Sequence, residues 1–349
     1  MRIAQVAPLG ESVPPVKYGG TERIVSYLTE ALVQQGHDVA LYASGDSKTA
    51  ARLKAMSLRS LRNHLSHADV DSIFGEAMAE LYRARHAYDV IHFHLGWHEF
   101  PVFADCSTPC LTTLHGPLDH PAIHGRIAPY PSFPLVSISD AQRAPLPYHN
   151  WLATIYHGVP DPGIEVAAAG RYLVFLGRIS PEKRPDLAIA MARRARLPLK
   201  IAAKIDPVNE TYFEDEIRPL LDAPGVEFLG ELGEREKRAL LAGATALLFP
   251  IDWSEPFGLV MIEAFACGVP VVAFRRGSVP EIVEDGVTGF VVTDVAEGMA
   301  ALERVGRLDR RLIQARFRER FTVKRMVRDY GELYRQLADT PLAVQAGLA

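Results

Sequence analysis

Two carboxylates separated by seven residues stand in an otherwise apolar stretch, Ser254-Glu255-Pro256-Phe257-Gly258-Leu259-Val260-Met261-Ile262-Glu263. Pro256 and Gly258 shape a tight loop, and a helix is expected from near Phe257 to Gly268. A helix start offers unpaired backbone N–H groups and the positive end of the dipole, so this junction suits a diphosphate. Carboxylates laid directly on phosphates would repel them. Glu255 and Glu263 make better sense as acceptors for hydroxyls on either side, Glu255 for a sugar ring and Glu263 for a ribose. A second group is Leu176-Gly177-Arg178-Ile179-Ser180-Pro181-Glu182-Lys183. It follows an apolar run and sets two cations at a strand's carboxyl end, where open α/β sheets bind ligands. Arg178 offers a fork to phosphate oxygens and Lys183 a point charge.

These residues need a scaffold, and the pattern around them supplies one. Short apolar runs alternate with helical-period segments almost from end to end, as βα units around parallel sheets require. In the first half, strands are expected at Arg2–Ala7, Asp38–Ala43, Val90–Phe93, Cys110–Leu114, Leu135–Ile138 and Thr154–Tyr156. A helix over about Thr21 to Gln35 follows a loop rich in Pro and Gly and stops at Gly36. In the second half, strands are expected at Tyr172–Leu176, Leu199–Ala203, Val226–Leu229, Ala246–Phe249 and Val269–Ala273. The expectation is an α/β chain of two Rossmann-like domains with parallel sheets facing a central cleft. The domains would be 1–160 and 171–320, joined by a linker over 161–170. A C-terminal helix and tail, 321–349, would cross back to the first domain. The basic segment Arg304 to Arg328 carries ten Lys/Arg against two acidic residues and reads as amphipathic helices with a solvated face.

With 349 residues and a net charge of −4, the chain has material for two cores and no bulk signal for nucleic acid. Cys106, Cys110 and Cys267 are too few and too uneven for a disulfide framework. No signal-like N-terminus or membrane-length apolar run is present, which places the protein in the cytoplasm. No metal or cofactor is expected. His92, His94, His98, His115, His120 and His124 lack completing carboxylates or thiols at ligand spacing. Asp69-Val70-Asp71 sits in a polar helical stretch rather than at the end of an apolar strand, so it reads as a chance match to a metal-binding pair. A nicotinamide-binding Rossmann domain would place Gly-x-Gly-x-x-Gly after the first strand. Pro8-Leu9-Gly10-Glu11-Ser12-Val13-Pro14 does not fit it.

Arg178, Lys183 and the Glu255…Glu263 block, with its Ala-Cys-Gly-Val-Pro-Val-Val tail, resemble the signature of family 4 retaining glycosyltransferases of GT-B fold. The resemblance implies that Arg178 and Lys183 hold a donor diphosphate, Glu263 the ribose and Glu255 the transferred sugar. It places backbone amides of Phe257, Gly258 and Leu259 at sugar and phosphate, and the loop carrying Leu229 and Gly230 at the base. Gly19 and Gly20 match the family's first loop, and His115 matches a position near the transferred sugar; with Glu255, Arg178 and Lys183, His115 makes up the catalytic set. The implied reaction is metal-independent transfer with retention, from a nucleoside-diphosphate sugar, UDP rather than GDP, to an unidentified acceptor hydroxyl. Alternatives on the same fold are an epimerase, a phosphorylase or a non-catalytic sugar-nucleotide-binding protein. Two departures stand out: Arg184-Pro185 where the family often has Gly after the Lys, and Ala203-Lys204-Ile205-Asp206 where it often has Gly. Residues 48–65 hold Lys48, Arg52, Lys54, Arg59 and Arg62 with no acid, and Leu53, Met56, Leu61 and Leu65 recur at near-helical spacing. This segment is a solvated helix or a peripheral contact with the inner face of a membrane.

Overall fold

In the structure, a computed structural model, residues 1–61, 67–167 and 170–339 are described. Their contacts divide the chain into two units, each built on one all-parallel sheet. Among the described residues, unit 1 takes those within Met1–Gly158 and the helix from Val323 to Asp339, and unit 2 those within Val159–Thr322.

Unit 1 holds β1 (Arg2–Val6), β2 (Asp38–Ser44), β3 (Arg52–Ser57), β4 (Val90–Phe93), β5 (Cys110–Thr113), β6 (Leu135–Ser137) and β7 (Trp151–Thr154), in the order β3-β2-β1-β4-β5-β6-β7. Unit 2 holds β8 (Tyr172–Ile179), β9 (Leu199–Ile205), β10 (Val226–Gly230), β11 (Ala244–Phe249), β12 (Val271–Phe274) and β13 (Gly289–Val292), in the order β10-β9-β8-β11-β12-β13. Central strands covered on both faces have no solvated side, which is why they read as unbroken apolar runs. Ile3, Ala4 and Val6 of β1, and Leu247 and Leu248 of β11, are buried accordingly. Each unit has its own core. In unit 1, Phe93, Phe100, Phe103 and Leu135 pack together; in unit 2, Phe175, Ile201, Leu248, Ile189 and Met191 do.

Several sequence expectations need correction. Arg178 lies inside β8, three residues longer than the apolar run because the strand continues through Gly177 into Arg178 and Ile179. The last strand of unit 1 is Trp151–Thr154 rather than 154–156. Residues 52–57, read within a helix, form edge strand β3, parallel to β2, with Arg52 2.9 Å from Asp38. Edge strands are blunted by such charges, and the basic residues here serve that end rather than an amphipathic helical face. Arg62 and Leu65 of that expectation lie outside the described residues, as do Ala168 and Ala169 of the expected linker. No helix among the described residues is long and apolar enough to cross a membrane.

Around 161–167 the chain is tied to unit 2. Arg318 pairs with Asp161 at 2.7 Å, and Gln314 donates to the Ile164 carbonyl at 3.2 Å. The helix Val323–Asp339 belongs to unit 1, where it packs on the helix Gly20–Gln34 and buries Tyr330 and Tyr334.

Candidate active site

In unit 2 the chain moves outward from β8 to β9 and β10, then returns to β11 on the other side of β8. The loops leaving β8 and β11 therefore diverge at their carboxyl ends, the place where open parallel sheets form a ligand crevice. Lys183 comes from the first loop and Glu255 from the second, and they meet there: Lys183 Nζ lies 2.5 Å from Glu255 Oε2. Trp253 Nε1 donates to the same oxygen at 3.0 Å, and Lys183 Nζ sits 4.5 Å above the Trp253 ring. The backbone of the two loops is also joined, Asp252 N–H donating to the Glu182 carbonyl at 2.8 Å. Arg178 reaches Glu182 at 3.2 Å and Asp206, beyond β9, at 3.5 Å; Lys204 lies 2.9 Å from the other Asp206 oxygen. Burial alone would raise the Asp206 carboxyl, but Lys204 and Arg178 hold it below the usual range. Each cation expected to meet phosphate is thus held by a carboxylate in place.

The helix that should seat the diphosphate runs Leu259–Ala266, starting two residues later than expected. Gly258 caps it with φ +81, a backbone conformation that favours glycine; a Cβ there would also meet Met261 Cε at 2.6 Å, a contact the flexible Met side chain can relieve. Phe257 is buried beneath the loop. Glu263 lies one turn inside and is held by Lys237 at 2.5 Å, which also reaches Glu234 at 2.7 Å. Burial opposes the Lys237 charge, yet Glu263 and Glu234 together raise its pKa. At the end of β10, the register with β9 skips Leu229, and Gly230 adopts φ +67. Such a bulge re-aims the strand end.

Sequence reasoning missed Trp253, Lys237 and Gly277. Gly277, at φ +51, brings its backbone so close to Glu255 that a Cβ would lie 2.3 Å from the Glu255 carbonyl oxygen. Ser278 then holds the loop in place, its N–H donating to the Glu255 carbonyl at 2.9 Å and its hydroxyl to the Phe257 carbonyl at 3.0 Å. The Gly277-Ser278 pair was a visible turn signal. Lys237 had no signal beyond being one charge on a polar helix.

In unit 1, the helix Gly20–Gln34 is capped by Gly19 at φ +155, where a Cβ would lie 2.7 Å from Pro15 Cβ. His115 follows β5. Its Nε2 is 2.9 Å from His94 Nδ1, and its ring stacks on His157 with centroids 5.1 Å apart. Burial pushes the His115 imidazole down to about 3 and His92, His94 and His157 well below their usual value. Asp71 lies on the helix His67–Ala84 and accepts from His98 at 3.2 Å. Among the described residues, no group of three or more His, Cys, Asp or Glu could hold a metal ion.

Comparison with known proteins fits this geometry. The family model described as "Glycosyl transferases group 1" matches residues 165–316, and that described as "Glycosyltransferase Family 4" matches residues 18–159. The D-inositol 3-phosphate glycosyltransferase of Mycobacterium tuberculosis is 35% identical over 146 residues, 40% of this chain and 30% of that protein. The aligned stretch thus spans less than a third of the curated relatives' length. Similar solved structures include AviGT4, a glycosyltransferase involved in avilamycin A biosynthesis, with TM-score 0.74, 24% identity and coverage of 98% of this chain and 99% of that one. Sucrose-phosphate synthase from Thermosynechococcus elongatus gives TM-score 0.79 at 20% identity, covering 97% and 99%. Anabaena HepE in complex with UDP-glucose gives 0.73 at 18%, covering 96% and 100%. The two parallel-sheet Rossmann-like units are those of a GT-B fold. The chain belongs to the group 1, family 4 glycosyltransferases.

Proposed function

We propose that this protein moves a sugar from a UDP-sugar to an acceptor hydroxyl, with retention at C1 and with fixed cations in the place of a divalent metal. The observation that carries the reading is the meeting of Lys183 and Glu255 at the sheet's switch point, with Arg178 one strand-end away. A phosphate entering beside Lys183 gives the ammonium a new anionic partner and releases Glu255 to accept sugar hydroxyls. Arg178, Lys183 and the amides at Phe257, Gly258 and Leu259 then face the diphosphate. Glu263, oriented by Lys237, faces the ribose, and the Leu229-Gly230 bulge faces the base. Gly19, Gly20 and His115 carry the family's remaining donor contacts by resemblance.

In the reaction, the bond from C1 to the phosphate oxygen breaks and one from C1 to the acceptor oxygen forms on the same face. The acceptor proton passes to the departing phosphate. Negative charge grows on that phosphate, and preorganised cations aimed at it stabilise the transition state. The similarity to structures holding UDP and UDP-glucose supports a uridine donor.

A thermal-shift panel of UDP, GDP and ADP tests the donor. At a hundredfold excess over Kd, the matching nucleotide adds about 2.7 kcal/mol of stability, and UDP is expected to give the largest shift. Glu255→Gln should keep that shift and reduce sugar transfer at least tenfold. If no nucleoside diphosphate shifts the wild-type protein, the donor reading fails.

A further inference from the structure

The carboxyl ends of β1, β4 and β5 hold a chain of polar groups of which the donor reading uses only His115. Gln5 Nε2 donates to Tyr334 Oη at 3.0 Å, and Gln5 Oε1 lies 2.9 Å from His94 Nε2. His94 Nδ1 is 2.9 Å from His115 Nε2. A second branch runs from Tyr334 Oη to His92 Nδ1 at 2.6 Å, from His92 Nε2 to Thr113 Oγ1 at 2.7 Å, and on to Tyr330 Oη at 2.9 Å. Gln5, His92, His94 and Thr113 are all buried. Within these two branches, His115 Nδ1 is buried and has no hydrogen-bond partner.

A neutral imidazole has one donor and one acceptor nitrogen, and an amide oxygen only accepts. His94 must therefore carry its proton on Nε2, facing Gln5 Oε1. Its Nδ1 is then a lone pair, so His115 must donate from Nε2, which leaves His115 Nδ1 bare. We infer that Gln5 and His94 are positioning residues that fix His115 as the Nε2–H tautomer, presenting Nδ1 as a neutral hydrogen-bond acceptor. The second branch has a matching direction. Tyr334 accepts from Gln5 and donates to His92 Nδ1, so His92 donates from Nε2 to Thr113. Tyr334 lies on the helix Val323–Asp339, so that C-terminal helix takes part in setting the direction. Burial keeps His92, His94 and His115 uncharged at neutral pH, as the one-donor, one-acceptor logic requires.

The consequence is chemical selectivity. A bare ring nitrogen accepts from a hydroxyl and repels phosphate oxygens, which are acceptors themselves. Once the groups covering this nitrogen give way to a donor, His115 meets a sugar hydroxyl and takes no part in holding the diphosphate. This consequence rests on the donor reading above; the tautomer assignment does not. The one self-consistent alternative reverses every bond, with the Gln5 amide turned over and His115 protonated on Nδ1.

Long-range proton–nitrogen NMR of the full chain, labelled at histidine and recorded at neutral pH, separates the two. His94 and His115 should both show a protonated Nε2 and an unprotonated Nδ1. Gln5→Glu, which still offers His94 only an acceptor, should leave both unchanged. It should move the His92 proton to Nδ1, because Tyr334 must then donate to the carboxylate. Gln5→Met removes the acceptor; it should mix the His115 tautomers and lower kcat/KM for transfer about tenfold, the scale of one hydrogen bond, with UDP affinity unchanged. Protonation of His115 at Nδ1 in the wild-type protein overturns the inference, as does a Gln5→Met spectrum with both tautomers intact. Should Gln5→Met fail to fold, the wild-type and Gln5→Glu spectra decide. Failure of the wild-type protein to bind UDP would sink the donor reading and leave the tautomer result standing.

Discussion

At the strand ends of unit 2 the polar groups are mostly ions, Arg178, Lys183, Lys204, Asp206 and Glu255, paired across loops. At the strand ends of unit 1 they are neutral: Gln5, three histidines and two tyrosines joined in a buried chain. The contrast separates two tasks. A part-exposed ion pair can exchange partners when an anion arrives, since a lysine leaving a carboxylate for a phosphate stays paired. A largely buried neutral chain cannot exchange partners cheaply, because each polar group left alone inside costs about 1–3 kcal/mol. It fixes direction instead. On the readings proposed above, unit 2 trades charges and unit 1 holds a hydrogen-bond polarity.

The largest expected effect breaks the charged side of this comparison. Arg178→Ala should weaken UDP binding about 10- to 100-fold, the value of a charge-assisted hydrogen bond or two. Calorimetry checks this, and unchanged affinity would remove Arg178 from the site. Acid should break the neutral side next. His92, His94, His115 and His157 have pKa values depressed by burial, so the unfolded chain binds more protons than the folded one below about pH 6.5. Stability present above that pH is lost as pH falls, by up to about 1.4 kcal/mol per pH unit for each histidine. Glu99 opposes them: burial raises it to about 7, so its contribution favours the fold on the acid side. Amide exchange corrected for intrinsic rates should therefore rise in unit 1 before unit 2 between pH 7 and 5. Uniform loosening of both units would remove the distinction.

The smallest effect concerns Arg184. Its backbone lies at φ +52, a conformation that favours glycine, and its guanidinium is held by Asp186 at 2.8 Å. Arg184→Gly trades relief of that backbone for a lost ion pair and a looser unfolded chain, so the melting free energy should move by no more than about 1 kcal/mol. A larger loss would show that the pair with Asp186 organises the Lys183 loop.

The departure at Arg184 also shows what could be read from the sequence. The parallel α/β series was legible because buried strands are apolar runs; Val90–Phe93 needed no adjustment. Glu255, Glu263, Arg178 and Lys183 were legible as groups beside a strand end or helix start. Their partners were not. Lys183 and Glu255 are 72 positions apart, and Gln5 and Tyr334 are 329 apart, so only the folded sheets bring them together. Strand β3 was misread because Leu53 and Met56, three apart, satisfy a helical face, while pairing with β2 decided the outcome. Strand β13, Gly289–Val292, was not among the expected strands; it opens on a glycine, which weakens a strand signal. His92 and His94 drew notice as metal-ligand types, yet their spacing encoded hydrogen bonding to Gln5, Thr113 and Tyr334. Arg184 holds a glycine-favouring backbone conformation without the glycine, which no residue type in the sequence signalled.

In the proposed function, Arg178 and Lys183 supply the positive field for the donor diphosphate. Titration calorimetry with UDP in excess EDTA, on wild-type protein and on Lys183→Ala, tests it most directly. EDTA should leave the wild-type Kd unchanged, and Lys183→Ala should weaken it at least tenfold. Binding that disappears in EDTA and returns only with an added divalent ion, with Lys183→Ala indistinguishable from wild type, would contradict it.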